Sequence, residues 1–207
     1  MKNRFNLLCL VICVFLFAVL LWSAHAVYVL GDVAVYDENG PLENLQAFLL
    51  AISCILFLVP VFIQKKSEKL LLTFCSLLCY GFVLRELDVE RFNVPEVVKF
   101  IGSGIGRNIS LIVGFTIIVI YAGFRFSYYK RAGILFLKSR PGILLMAGGL
   151  LLVIGDLFEK RHFIHHAFFE ALFELSGYVS ILLSAIAANC KRTLSARESD
   201  RQASKFT

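Results

Sequence analysis

From Phe5 to Ala24 the chain carries no charged side chain, and a run of that kind leaves few options. About 20 apolar residues, each rising ~1.5 Å in a helix, match the ~30 Å hydrocarbon core of a bilayer. Similar runs recur along the chain. Hydrophobic residues make up 58% of it, its mean hydropathy is +0.77, and only 17% of its residues are charged, against roughly 25% in soluble domains. Water offers no way to bury so much apolar surface. Lipid does, provided each span satisfies its own backbone as a helix. The expected fold class is therefore all-α, a polytopic transmembrane bundle.

Six spans are expected, at about 5–30, 43–63, 70–87, 108–127, 142–158 and 164–189, so that 1–190 forms the bundle and 191–207 a polar, basic tail without regular structure. Asn39-Gly40-Pro41 punctuates the first connection. In the third, residues 95–101 read as a turn or two of amphipathic helix in the interface. Gly102-Ser103-Gly104-Ile105-Gly106 follows no strand and precedes no lysine, so it reads as a turn and not as a phosphate cradle. Gly148, Gly149 and Gly155 suit close helix packing. The start of the chain has a rival reading. Lys2, Arg4, an apolar stretch and Ala24-His25-Ala26 have the form of a cleavable secretory signal, which would leave five spans. The uncharged run exceeds the ~7–15 residues of such a signal, which favours a retained helix.

Charge orients the bundle. With the N-terminus inside, fifteen of the 21 Lys and Arg residues fall on the cytoplasmic side, including Lys65, Lys66, Lys69, Arg125, Lys130, Arg131 and the tail. That imbalance follows the positive-inside rule and puts both termini in the cytoplasm. The net charge of +6 then needs membrane lipids as its partner and no nucleic acid. Five of the six cysteines lie in apolar runs and Cys190 adjoins the basic tail, so none is placed for a disulfide.

The acids carry more information. Twelve of the fifteen Asp and Glu residues, and all four histidines, fall on the outer side, an asymmetry the positive-inside rule does not require. Several sit at span ends or within spans, where ionisable groups are costly and face a cavity or a partner. Glu43 opens the second span, Glu86 closes the third, Asp156 closes the fifth, and Glu170 and Glu174 lie in the sixth. His162, His166, Glu170 and Glu174 follow one another at i, i+4 spacing, a slowly drifting stripe on one helix. Two imidazoles so spaced suit one metal ion, with carboxylates completing the shell. The candidate metal ligands are His162, His166, Glu170 and Glu43; the candidate catalytic or relay residues are Glu170, Glu174, Asp156 and Glu86. A divalent metal is the only cofactor this pattern suggests. Against these stand plainer readings: interfacial histidines, an Arg85–Glu86 pair capping a helix, and terminal acids reaching water.

Three segments carry a resemblance: Glu38-Asn39-Gly40-Pro41-Leu42-Glu43, Arg85-Glu86-Leu87-Asp88, and the run from Phe169 to Tyr178. They resemble a group of small uncharacterised bacterial inner-membrane proteins with acidic motifs at span ends. The resemblance implies a bacterial inner membrane and no activity. A more distant likeness is to alkaline ceramidase-type intramembrane zinc hydrolases, which have seven helices with a Ser, an Asp and three His. Here there are six spans, and the histidines crowd one helix start. The sequence therefore leaves open whether the chain is an enzyme. The leading expectation is an outer-facing acidic and histidine-bearing cavity that binds a cation or lipid headgroup, with metal-dependent hydrolysis as an extension. The alternatives are a small proton- or cation-coupled transporter or channel subunit, and a non-catalytic partner in a membrane assembly or homo-oligomer.

Overall fold

The computed structural model describes residues 2–37, 40–63, 69–87, 89, 93–160 and 165–203. Among them the regular structure is helical: α1 (Lys2–Tyr28), α2 (Pro41–Ile63), α3 (Lys69–Glu86), α4 (Glu96–Gly102), α5 (Gly104–Gly123), α6 (Phe126–Leu137), α7 (Arg140–Glu159) and α8 (His166–Ala203), with a 3-10 turn at Val33–Val35. The chain is thus all-α. Among the described residues five stretches are long and apolar enough to cross a membrane: Phe5–Tyr28, Pro41–Ile63, Gly104–Gly123, Arg140–Phe158 and His166–Cys190. Six were expected. The remaining one, α3, is only 18 residues long and includes Lys69, Arg85 and Glu86.

α8 is the hub, and its apolar stretch is the most buried of the five. It runs parallel to α2, since Gln46 Nε2 donates to the Ala171 carbonyl at 2.8 Å and Asn189 Nδ2 to the Leu56 carbonyl at 2.9 Å. It runs antiparallel to α7, where Ser184 Oγ donates to the Pro141 carbonyl at 2.7 Å. A Cβ on Gly148 would lie 2.8 Å from the Gly177 carbonyl oxygen, so the two backbones meet where neither residue has a side chain. Gly155 faces α8 likewise, with the Glu174 Cγ 3.2 Å from the place of its missing Cβ, whereas Gly149 faces open space. α3 lies antiparallel to α2, with Ser76 Oγ donating to the Cys54 carbonyl at 3.1 Å, and to α5, where Gly81 accommodates Leu111 and Gly114 accommodates Leu77. Tyr28 at the end of α1 packs edge-on against His165 and Phe168, at 5.4 and 5.8 Å. The bundle therefore has a basic end, where α1 begins and α8 leaves, and an acidic end, where α3 and α7 finish.

One proline shows how the interior stays satisfied. Pro60 is buried inside α2 and has no N–H to offer the carbonyl four residues earlier, that of Leu56. Asn189 of α8 supplies the missing donor. A helix breaker in a bundle interior is tolerated where a neighbour refills the gap.

The boundaries differ from the sequence reading in three places. The fourth span was expected at 108–127, after Arg107; the helix instead starts at Gly104, whose φ of +52° separates it from α4. Arg107 is accommodated in its first turn because Nη1 donates to the Leu84 carbonyl at 3.1 Å, capping the end of α3. The segment taken as a link to the fifth span contains a helix of its own, α6. The tail expected to lack structure continues α8 to Ala203. No Gly or Pro interrupts residues 178–203, and extending an existing helix needs no new nucleus.

Candidate functional site

The last turn of α3 and the middle of the apolar stretch of α8 meet through four side chains. On α8, Glu174 and Tyr178 are one turn apart and share a face. On α3, Arg85 and Glu86 are adjacent, and the Arg85 guanidinium reaches both partners. Its Nε donates to Glu86 Oε1 at 3.0 Å, and its Nη2 donates to Glu174 Oε1 and to the Tyr178 hydroxyl at 3.0 Å. Tyr178 in turn donates to Glu86 Oε1 at 2.7 Å. The cluster closes on itself.

Its members differ in exposure. Tyr178 is fully buried and the Glu86 residue is 7% exposed; the Glu174 side chain is 12% exposed and that of Arg85 48%. Arg85 is therefore the accessible edge of the group. Phe82, one turn before Glu86, backs both Arg85 and Tyr178: the guanidinium carbon is 5.8 Å from its ring centroid, and the Tyr178 ring 6.0 Å. An aromatic face there favours the cation. Gly155 of α7 leaves room beside Glu174.

Glu86 and Glu174 come together, joined by Arg85. Glu170 is half-buried one turn before Glu174, with its backbone carbonyl against Gly155. Asp156 is exposed and pairs with Lys160 at 2.7 Å on its own helix. Glu43 is half-buried in the first turn of α2. His166 begins α8, and His162 lies outside the described residues. Among the described residues no three His, Cys, Asp or Glu side chains gather to hold a metal ion. Steps of four residues rotate by ~40° each, so a stripe from His166 to Tyr178 turns through about 120°. Tyr178, at its end, faces α3.

His165 has a structural place. Its φ of +62° turns the chain into α8, its Nδ1 lies 3.4 Å from the Tyr36 hydroxyl, and its ring packs against Tyr28 and Tyr36. Sequence reasoning missed two members of the cluster. The sequence pairs Arg85 with its neighbour Glu86 alone, and Tyr178, which carries no charge, continues the four-residue spacing one step past Glu174. The chain matches no protein-family model, no curated protein and no solved structure.

Proposed function

We propose that this chain is a six-span protein of a bacterial inner membrane, with both termini cytoplasmic and its acidic end facing outward, and that the cluster around Tyr178 binds one monovalent cationic group. A proton, a small cation or the ammonium of a lipid headgroup fits that description. The observation that carries the reading is an imbalance of formal charge. Two carboxylates, Glu86 and Glu174, share one guanidinium, Arg85, which among the described residues leaves the group one negative charge in excess. Uncompensated charge away from water is costly, and one proton or one cation removes it. The half-exposed edge at Arg85 gives such a group a way in from the acidic end.

The sixth span in this reading is α3. Its 18 residues reach about 27 Å at ~1.5 Å each, close to a ~30 Å core. Its ionisable residues sit at its two ends, Lys69 in its first turn and Arg85 and Glu86 in its last.

A binding site open to one side is favoured over a relay through the membrane. Towards the basic end the buried polar groups are neutral and engaged with helix carbonyls: Ser53 with Leu49, Ser76 with Cys54, and Ser184 with Pro141. Such bonds hold helices together.

The test is infrared spectroscopy of purified protein, exchanged into Na+, K+ or choline at fixed neutral pH. If the site holds a proton, wild type gives a protonated-carboxyl band that Glu174→Gln removes. If it holds a cation, that band grows as the preferred cation is withdrawn. A wild-type spectrum with no such band in any medium would end this reading of the cluster.

A further inference from the structure

A second polar site lies at the opposite end of the bundle, in a groove of about 570 Å³ between α3, α5 and α6. Its wall combines three chemistries. Lys69 at the start of α3 and Arg125 at the start of α6 bring two positive charges from different parts of the chain. Tyr121, Tyr128 and Tyr129 bring three phenols, held as a group by ring contacts of 6.2 Å between Tyr121 and Tyr129 and 5.1 Å between Tyr128 and Tyr129. Ile117, 62% exposed, continues the wall as apolar surface along α5. No carboxylate lines the groove among the described residues.

The surroundings place this groove at a membrane surface. α6 joins the ends of two apolar spans, α5 and α7. Along it Phe126 and Leu135 are exposed at 65% and 61%, interleaved with exposed Lys130 and Arg131. A basic helix with exposed apolar residues lies in the interface, and tyrosines favour the same level.

We infer that this groove is a binding site for an anionic phospholipid, its phosphate held by Lys69, Arg125 and the tyrosine hydroxyls and its acyl chain lying along Ile117. Charge complementarity selects an anion. The apolar wall beside the charges selects a lipid over free phosphate, which has no chain to place there. The inference rests on the membrane-spanning reading and is independent of the cation site.

Native mass spectrometry of protein purified in mild detergent, then supplied with phosphatidylglycerol or phosphatidylcholine, tests it. Wild type should retain phosphatidylglycerol in preference to phosphatidylcholine, and the double variant Lys69→Gln, Arg125→Gln should retain roughly tenfold less of it. The control Lys130→Gln, Arg131→Gln should retain as much as wild type. Equal loss in both double variants would reduce the site to a general basic belt, and no loss in the first would remove it. A measurement on unaltered protein guards against misfolding of the variants. Nitration of Tyr129 should slow in phosphatidylglycerol nanodiscs relative to phosphatidylcholine ones, and inorganic phosphate should not reproduce the protection. Equal nitration in both lipids, or protection by phosphate alone, overturns the lipid assignment.

Discussion

The Tyr178 hydroxyl donates a 2.7 Å hydrogen bond to Glu86 Oε1, tying α8 to the last residue of α3. Tyr178→Phe keeps the ring against Phe82 and removes only that donor, which also accepts from Arg85. Leaving a buried polar group short of a partner costs about 1–3 kcal/mol. The variant should therefore unfold earlier in mixed-micelle denaturation by that amount. An unchanged unfolding free energy would show that the hydroxyl does nothing for the fold.

The ion pair between Arg85 and Glu174 should show up as coupling. Arg85→Gln strands two carboxylates, whereas Arg85→Gln combined with Glu174→Gln strands one. Contacting pairs typically couple by ~0.5–3 kcal/mol, and the half-exposed guanidinium argues for the lower part of that range. The double variant should be more abundant and more stable than Arg85→Gln alone. Strict additivity would mean that the two side chains act independently.

The gap left by Pro60 makes a rescue experiment possible. Asn189→Leu removes the donor to the Leu56 carbonyl and should destabilise the bundle by ~0.5–2 kcal/mol. Adding Pro60→Leu restores a backbone N–H in α2, and the pair should regain part of the loss. If the second change deepens the loss, Asn189 is not acting as the substitute donor.

The contact between α7 and α8 separates two adjacent glycines. Gly148→Ala pushes a methyl group to 2.8 Å from the Gly177 carbonyl oxygen, and overpacking of this kind costs ~1–3 kcal/mol. Gly149→Ala meets nothing within 4 Å and should be neutral or gain up to ~1 kcal/mol from helix propensity. Thermal unfolding of the two proteins side by side decides it. Equal behaviour would contradict the close approach.

Topology has a direct readout. Reporter fusions after Lys66 and after Thr207 should behave as cytoplasmic, and one after Glu96 as periplasmic. A periplasmic C-terminus would reverse the bundle and both proposed sites with it.

The helical class was legible in the sequence because the spans are uncharged over about the length a bilayer demands. That Glu86 and Glu174 are ionisable residues in apolar company was legible too. Which acids meet was not. Four-residue spacing groups His166, Glu170 and Glu174, but each step drifts by ~40° around the helix, so spacing alone does not say which of them faces α3. Asp156 looked like a member of the same site, and a local Lys160 engages it instead. Arg107 looked like a span boundary because it is charged, yet its reach to Leu84 lets α5 begin before it. Long side chains make contacts that sequence spacing does not encode.

The position of α8 at the centre of the bundle bears on how the protein is made. It contacts α1, α2 and α7, and through Tyr178 it holds α3, yet it leaves the ribosome after all of them. Synthesis proceeds from the N-terminus at ~5–20 residues per second, so the earlier helices wait in the membrane for several seconds without the element that joins them. During that wait Arg85 and Glu86 lack their partners on α8, and the gap at Leu56 has no donor. A nascent chain that stalls before residue 166 is thus a set of helices with unmatched polar groups, the kind of species that membrane quality control removes.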